Sequence, residues 1–299
     1  MSTLKLWILA ARPKTLFAAL APIIIGLSLS YKIAGIISWN ISWMIVLSAT
    51  LLQIGSNYAN DAYDYLKGAD RNDRKGPKRA VQLGKISPKK ILNAMYVIFI
   101  VSVIIGFFLA RIGGWPIVAI GLLSIFFAII YTGGPYPLAY NGLGDITVFV
   151  FFGLIATMGT VYLQLTNYNI EINNFIFEII IGACSTGFLN TAILVVNNLR
   201  DVDSDRLANK RTLAVKFGAQ FTCYEFSGLL LGNCLCLCLL AYTWNNYILV
   251  IVAMIVGGFS YILIRKVFQF SKSDLNKLLE KTAQLSFLNS ILFFLAIII

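Results

Sequence analysis

Nine long apolar runs dominate this sequence of 299 residues. Each run is close to the roughly 20 apolar residues that a helix needs to cross the hydrocarbon core of a membrane. The composition agrees, because 59% of the residues are hydrophobic and only 12% are charged, and a typical soluble domain is about 25% charged. We therefore predict an all-α polytopic membrane protein that forms one domain over residues 1–299. Its nine transmembrane helices are predicted at about 15–34, 42–66, 89–110, 115–131, 145–164, 175–199, 219–241, 245–264 and 282–299.

The N-terminal residues are expected to lead into the first span rather than to form a cleaved signal peptide. Their short apolar stretch is interrupted by Arg12, Pro13 and Lys14, which favours a position at the membrane interface. The sequence contains no histidine, which excludes haem ligation by His, zinc–His sites and His general bases. The five cysteines are interpreted as small apolar side chains in helices: Cys184, Cys223, Cys234, Cys236 and Cys238.

The distribution of basic residues predicts the orientation in the membrane. Lys and Arg are retained on the cytoplasmic side of membrane proteins. With nine spans, 22 of them fall on one face, and only Lys32 and Arg111 fall on the other. We therefore predict a multi-pass protein of the inner (cytoplasmic) membrane, with a cytoplasmic N-terminus and a C-terminus on the opposite side. The net charge of +11 does not indicate nucleic acid binding, because the charge is distributed among loops at the membrane edge.

A first acidic cluster lies at the predicted cytoplasmic end of the second span. Asn57, Asp61 and Asp64 are separated by four and three residues, so they share one helix face. Asp70 follows after Gly68, where the helix is expected to loosen. Carboxylates at membrane depth cost several kcal/mol each unless they are paired, which indicates that this cluster has a function.

A second acidic cluster lies at the same predicted face, at the end of the sixth span. Asn197, Asp201 and Asp205 are each four residues apart and share one helix face, whereas Asp203 is expected to point into solvent. The similarity to the first cluster suggests an internal duplication of a helix group.

The two clusters together predict a magnesium-bound diphosphate. Oxygen ligands from Asp and Asn suit Mg²⁺, a hard ion that binds phosphate oxygens through one or two carboxylates. We predict the metal ligands to be Asn57, Asp61, Asp64, Asp70, Asn197, Asp201 and Asp205, of which Asp61, Asp64, Asp201 and Asp205 are the candidate catalytic residues. Nearby basic residues are predicted to bind the outer phosphate oxygens: Lys67, Arg74, Arg79, Arg206 and Lys210.

The connection over residues 131–145, YTGGPYPLAYNGLGD, lies on the same predicted face. Its glycines and prolines break the helix, and Tyr131, Tyr136 and Tyr140 supply flat surfaces with hydroxyl tips. Two interpretations stay open. Either these tyrosines line a site for an aromatic substrate, or they form an aromatic belt at the membrane interface around a tight turn.

The motifs resemble those of the UbiA superfamily of intramembrane prenyltransferases. Two aspartate-rich motifs at helix ends characterise that family, and they match residues 57–70 and 197–206. Within the family, the chain resembles the branch that prenylates 1,4-dihydroxy-2-naphthoate. The matching segments are KGAD (67–70), DRKGPKRAVQLGKIS (73–87), YTGGPYPLAYNGLGD (131–145), MGTVYLQ (158–164) and NNLRDVDSDRLANKRTLAVKFG (197–218).

The resemblance implies a fold of nine helices around a central cavity, capped by cytoplasmic loops. It also implies a Mg²⁺-dependent reaction between polyprenyl diphosphate, whose tail lies among membrane lipids, and 1,4-dihydroxy-2-naphthoate. Carbon dioxide and diphosphate are lost, and the product is demethylmenaquinone, an intermediate of menaquinone biosynthesis.

Three alternatives stay open. Within the prenyltransferases, the acceptor could instead be 4-hydroxybenzoate or another aromatic acid. A transporter of an anionic lipid or metabolite would favour spans broken at mid-membrane, whereas the acidic residues here lie at the membrane edge. A divalent-cation channel would need polar groups that continue to the far side, and the helices become mainly apolar beyond Asn57 and Asn197.

Overall fold

The computed structural model describes residues 3–70, 76, 79–269 and 274–299, and the only regular secondary structure in these ranges is helical. The helices are α1 (Thr3–Ala11), α2 (Pro13–Ala34), α3 (Trp39–Leu66), α4 (Pro88–Gly113), α5 (Trp115–Ile130), α6 (Gly144–Phe149), α7 (Ala156–Asn167), α8 (Ile176–Leu207), α9 (Leu213–Thr243), α10 (Tyr247–Phe268) and α11 (Leu275–Ile298). A π-helical turn, Val150–Ile155, joins α6 to α7. Short 3₁₀ turns lie at Leu138–Tyr140 and Ile172–Phe175.

The helix lengths confirm a multi-span membrane protein. Within the described ranges, seven helical segments are long and apolar enough to cross a membrane: Pro13–Ala34, Pro88–Gly113, Gly144–Asn167, Ile172–Leu207, Leu213–Thr243, Tyr247–Phe268 and Leu275–Ile298. The other two predicted spans coincide with α3, which carries the first acidic cluster, and with α5, which has 16 residues. The count of nine transmembrane helices therefore stays a prediction.

Several helices begin where local sequence favours a start. Ser87 accepts a hydrogen bond from the Lys90 amide, and Pro88 occupies the first helical position of α4. Thr212 caps α9 in the same way, through the amide of Val215. These caps satisfy amides that would otherwise lack partners at the ends of the loops beside the acidic clusters.

The packing places α8 at the centre of the bundle, where it contacts α2, α6, α7, α9 and α11. Each helix that carries an acidic cluster packs most extensively against the helix that follows it, α3 against α4 and α8 against α9. The internal duplication stays a prediction. The N-terminal lead-in forms α1, which packs against α3 through a contact between the Trp7 and Tyr58 rings at 5.6 Å.

Asn190 of α8 forms hydrogen bonds with three neighbouring elements inside the bundle. Pro22 lacks an amide hydrogen, so the carbonyl of Ala18 loses its helical donor, and Asn190 Nδ2 donates to that carbonyl at 3.0 Å. The same Nδ2 donates at 3.0 Å to the carbonyl of Phe152 in the π-helical turn. Its Oδ1 accepts from Ser286 of α11 at 3.2 Å. One buried amide therefore satisfies carbonyls at two helix irregularities.

Asn190→Leu is expected to lower the free energy of unfolding by about 1–3 kcal/mol, because it leaves buried carbonyls without a donor. Unfolding of the purified protein in detergent measures the change. Ser227→Ala is the matched control, since Ser227 Oγ bonds only to the carbonyl of Cys223 one turn earlier in its own helix. Equal stability of Asn190→Leu and the control would contradict the assigned role.

Candidate active site

The C-terminal ends of α3 and α8 face one cavity of about 1340 Å³. Asn60 and Asp64 line it from α3, and Asn197 and Asn198 line it from α8. Beyond this polar end the walls are mainly apolar, and they are built from α2 to α8, with the π-helical turn, and from α11. Of the seven predicted metal ligands, Asp64 and Asn197 line this cavity, one from each cluster. The others do not line it, and their roles stay predictions: Asn57, Asp61, Asp70, Asp201 and Asp205.

Asp64 of the first cluster is bonded by side chains at both of its carboxylate oxygens. Its Oδ2 pairs with Arg79 Nη1 at 2.6 Å, and its Oδ1 accepts from the Tyr140 hydroxyl at 2.8 Å. The same Arg79 nitrogen lies 3.2 Å from Asp70 and donates to the Asn60 carbonyl at 2.7 Å. Burial alone would lower the pKa of Arg79, but Asp64 and Asp70 outweigh it and hold the pKa above its usual value. The guanidinium therefore stays charged between two carboxylates.

Asp61 and Asn57 hold the surroundings of the first cluster in place. Asp61 is buried and accepts from the backbone amides of Ala80 and Val81 at 3.2 and 3.4 Å. Asn57 Nδ2 donates to the carbonyl of Ala11 and to Thr15 Oγ1, both at 2.9 Å. Neither side chain is among those that line the cavity, so their roles as metal ligands stay predictions.

The second cluster is also engaged by basic side chains. Arg200 binds Asp201 through two bonds, from Nε to Oδ1 at 2.8 Å and from Nη2 to Oδ2 at 2.7 Å. Arg200 Nη2 also donates to Asn197 Oδ1 at 2.7 Å. Lys210 Nζ lies 3.6 Å from Asp205. Asp203 is exposed, as predicted from the helical spacing.

Tyr140 connects the two clusters. Its hydroxyl bonds to Asp64, and the Nζ atoms of Lys67 and Lys210 lie 5.0 and 5.6 Å from the centre of its ring. Because Lys210 also pairs with Asp205, a continuous set of contacts runs from α3 to α8. Burial and the Asp64 carboxylate raise the pKa of Tyr140 above its usual value, so its hydroxyl stays protonated and donates.

The remaining predicted site residues have different locations. Tyr131 lines the cavity, whereas Tyr136 is exposed and belongs to the outer side of the same connection. Lys67 is exposed and donates to the Gly134 carbonyl at 3.2 Å. Arg206 is exposed and does not line the cavity, so its phosphate contact stays a prediction. Arg74 lies outside the described residues.

Comparison with known proteins identifies the family. The sequence profile of the UbiA prenyltransferase family matches residues 19–291. The chain belongs to the UbiA prenyltransferase family. Among its relatives in the family is the 1,4-dihydroxy-2-naphthoate octaprenyltransferase of Haemophilus influenzae, which is 36% identical over 99% of this chain and 96% of its own length. The Escherichia coli K12 protein of the same name is 34% identical, with the same coverage of both chains.

Solved structures of UbiA homologues share the fold. The Archaeoglobus fulgidus homologue bound to GPP and Mg²⁺ has a TM-score of 0.71 at 14% identity and covers 98% of this chain and 99% of its own. The apo homologue from Aeropyrum pernix K1 also has a TM-score of 0.71, at 12% identity, and covers 96% and 98%. At these identities the likeness establishes the UbiA fold, and the site must be argued from this chain's own residues.

The donor atoms of this UbiA-family site fit a divalent cation that arrives with a phosphate ligand. Both clusters offer only carboxylate and amide oxygens, which suit a hard cation. Within the described part of the chain, no group of three His, Cys, Asp or Glu side chains could hold a metal ion alone. Mg²⁺ takes only one or two carboxylates together with waters and substrate phosphates. In this structure the negative charges of Asp64, Asp201 and Asp205 are balanced by ion pairs with Arg79, Arg200 and Lys210.

Three basic residues at the cavity were missed from the sequence: Arg12, Lys14 and Arg200. Arg200 is buried, lines the cavity and contacts Asn197 and Asp201. Its position between those two residues in the second motif could have indicated this role. Arg12 lines the cavity from the junction of α1 and α2, where its φ of 50° lies in the left-handed region. Non-glycine residues in that region are uncommon and often belong to functional sites.

Tyr140→Phe is expected to lower kcat/KM for prenyl transfer by about tenfold to a hundredfold, because a hydrogen bond to a charged group contributes about 1.5–3 kcal/mol. Steady-state kinetics on the purified protein measure the change. Tyr242→Phe is the control, since the Tyr242 side chain is exposed and does not line the cavity. Equal activities of the two variants would show that the Tyr140–Asp64 bond does not organise the site.

Proposed function

We propose that this protein transfers a polyprenyl group from polyprenyl diphosphate to 1,4-dihydroxy-2-naphthoate, with loss of carbon dioxide and diphosphate, to give demethylmenaquinone in its reduced, quinol form. The observation that carries the proposal is that Asp64 of the first cluster and Asn197 of the second line the polar end of one largely apolar cavity, beside Arg79, Arg200 and Lys210. The names and the full-length similarity of the two bacterial relatives support the choice of acceptor.

The polar end of the cavity would bind the donor's diphosphate. The seven predicted ligands of the two clusters would hold Mg²⁺, which supplies Lewis-acid stabilisation of the leaving diphosphate when it is bound. Arg79, Arg200 and Lys210, which balance the carboxylates in this structure, would turn towards phosphate oxygens. Lys67, Arg74 and Arg206 are further phosphate-binding candidates.

The apolar walls would protect the reaction from water. The allylic C–O bond breaks, its electron pair leaves with the diphosphate, and the allylic cation is shielded within the bundle. The ring carbon that bears the acceptor's carboxylate forms the new C–C bond, and that carboxylate leaves as carbon dioxide. Tyr131 lines the cavity and would contact the acceptor's ring, while Tyr136 stays a weaker candidate because of its exposure.

We also propose that α3 and α5 cross the membrane, which gives nine transmembrane helices in a single domain capped by cytoplasmic loops. The contacts support one common face for four basic connections. Lys14 at the start of α2 lies 3.3 Å from Glu280 of α11, and Arg200 of α8 donates to Asn276 at 3.1 Å. With the excess of Lys and Arg, this face would be the cytoplasmic side of the inner membrane, and the C-terminus would lie opposite.

The decisive assay supplies purified protein with polyprenyl diphosphate, Mg²⁺ and either 1,4-dihydroxy-2-naphthoate or 4-hydroxybenzoate, and identifies products by mass. The proposal expects a decarboxylated, prenylated product with the naphthoate and little or none with the benzoate. Preference for 4-hydroxybenzoate would overturn the acceptor assignment. Donor binding without product from any aromatic acid would favour a transporter instead.

A further inference from the structure

A second cavity lies between α10 and α11, beside the active-site cavity. Its volume is about 550 Å³, which falls within the range of about 300–1,000 Å³ for pockets that bind small ligands. Leu263 and Lys266 of α10 line one side, and Lys277, Leu278 and Lys281 of α11 line the other. We call this cavity, which these five residues define, the α10–α11 pocket.

The α10–α11 pocket has polar walls above an apolar floor. On α11, Lys277, Lys281 and Gln284 are separated by four and three residues, so they share the helix face that lines the pocket. Leu263 and Leu278 are buried, and they form the floor. One regular face of each helix therefore builds the pocket.

The three lysines give the pocket an excess of positive charge. They are exposed, and none of them forms an ion pair with a side chain in the described part of the chain. The pocket also contains two acidic residues, Asp274 and Glu280, and Glu280 already pairs with Lys14 at 3.3 Å. The ammonium groups outnumber the carboxylates, so the charge of the pocket favours an anionic ligand.

The surface of α10 beside the pocket is apolar and exposed. Ile255, Phe259 and Ile262 precede Lys266 by eleven, seven and four residues, so the four side chains share one helix face. The three apolar side chains are 41%, 49% and 48% exposed, and α10 is long and apolar enough to cross a membrane. A ligand bound at Lys266 would therefore have a stripe of apolar surface directly beside it.

The α10–α11 pocket shares a wall with the active-site cavity. Glu280 and Gln284 line both cavities. Asn276, about one turn before Glu280, accepts a hydrogen bond from Arg200 at 3.1 Å, and Arg200 binds Asp201 of the second acidic cluster. A ligand in the pocket would therefore restrain the part of α11 that contacts the active site.

We propose that the α10–α11 pocket binds the headgroup of an anionic glycerophospholipid. The lysines would bind the phosphodiester, the Gln269 and Gln284 amides would bind headgroup hydroxyls, and the acyl chains would follow the apolar stripe of α10. Basic pockets between transmembrane helices bind anionic headgroups in this way. A lipid is favoured over a free phosphate anion because the charged pocket and the apolar stripe meet at Lys266. The bound lipid would stabilise α11, whichever substrate the enzyme uses.

The test compares the full-length wild type with the triple variant Lys266→Gln/Lys277→Gln/Lys281→Gln. Unfolding temperatures are measured in vesicles of phosphatidylcholine alone and in vesicles of equal parts phosphatidylcholine and phosphatidylglycerol. Native mass spectrometry measures the affinity of each protein for phosphatidylglycerol. The triple variant should fold as the wild type does in phosphatidylcholine, because all three side chains are exposed.

A matched control removes the same charge elsewhere on the proposed cytoplasmic face. It is Lys85→Gln/Lys89→Gln/Lys90→Gln, at three exposed lysines that line neither cavity. Inorganic phosphate, added without phosphatidylglycerol, is the probe for a free anion.

Phosphatidylglycerol should raise the unfolding temperature of the wild type and of the control, and the triple variant should lose this gain. The affinity of the triple variant for phosphatidylglycerol should fall by about tenfold to a hundredfold, because each lysine at a membrane surface strengthens anionic-lipid binding. The control should change by less than about threefold.

Three results would overturn the proposal. Equal losses in both variants would show a general attraction of surface charge, and an unchanged triple variant would show that these lysines bind no lipid. Stabilisation of the wild type by inorganic phosphate as large as that by phosphatidylglycerol would assign the pocket to a free anion. Because no measurement here uses prenyl transfer, the outcome is independent of the proposed function.

Discussion

Asp64→Asn should lower kcat/KM for prenyl transfer by about a thousandfold, the loss expected when one charged group that stabilises a transition state is removed. Asp64 lines the cavity and receives both the Arg79 guanidinium and the Tyr140 hydroxyl. An amide keeps the shape but removes the charge that would hold Mg²⁺ and would align Arg79. Steady-state kinetics at saturating Mg²⁺ measure the loss.

Asp203→Asn is the matched control for Asp64→Asn. Asp203 lies in the second motif between Asp201 and Asp205, but its side chain is exposed. The same change of charge there should alter kcat/KM by less than about threefold, because surface charges contribute little. A comparable loss in both variants would show that the activity depends on net charge at the membrane edge rather than on the cavity-facing carboxylate.

Arg79→Gln should lower the free energy of unfolding by about 3–5 kcal/mol, the usual penalty for removing one partner of a buried ion pair. It leaves Asp64 and Asp70 buried near each other, and it also removes the donor to the Asn60 carbonyl. Activity should fall with stability, by about a hundredfold or more. Thermal unfolding in detergent, recorded with and without Mg²⁺, measures the effect.

The change in unfolding temperature on addition of Mg²⁺ distinguishes a role of Arg79 in the active site from a purely structural role. A cation that binds the two buried carboxylates in place of the guanidinium stabilises the folded state by mass action, so Mg²⁺ should raise the unfolding temperature of Arg79→Gln more than that of the wild type. Lys85→Gln is the control, because Lys85 is an exposed basic residue of the same connection. Stability and activity of Arg79→Gln that match the Lys85→Gln control would contradict this account.

Helical spacing predicted the part of the site that lies on single helices. The steps of three and four residues from Asn57 to Asp64 and from Asn197 to Asp205 predicted one face for each cluster, and one member of each, Asp64 and Asn197, lines the shared cavity. Apolar run lengths predicted the helices, although α8 continues to Leu207, well past the predicted span end at residue 199. Asp201 and Asp205 therefore lie within the regular helix α8, as their spacing predicts, whereas Asp70 lies beyond the end of α3.

Helical spacing and the lengths of apolar runs did not predict the long-range contacts. Asp61 shares the face of Asp64, but it bonds to the amides of Ala80 and Val81, which lie about twenty residues further along the chain. The role of Tyr140 as a bridge depends on the fold of two separate connections, since the Arg211 amide donates to the Tyr140 carbonyl at 2.9 Å. Periodicity identifies the face of a helix, but it does not identify which loop covers that face.

The irregularities inside the membrane were also unpredicted. The π-helical turn Val150–Ile155 lies in an apolar run that reads as an ordinary span. It is accommodated because Gly153 lies directly against Gly187 of α8, where an added Cβ would come within 2.5 Å of the Gly187 Cα. The π-helical turn is stabilised by the close packing of two glycines and by the hydrogen bond from Asn190 to Phe152. The hydropathy of the sequence predicts neither contact.

The most direct test of the central claim is the equilibrium binding of polyprenyl diphosphate to wild type, Asp64→Asn and Asp205→Asn, each with and without Mg²⁺. If both clusters hold one metal-bound diphosphate, the wild type should bind at least about tenfold more tightly with Mg²⁺, and either single variant should lose most of that gain. Binding that ignores Mg²⁺, or that depends on one cluster and not on the other, would contradict the account.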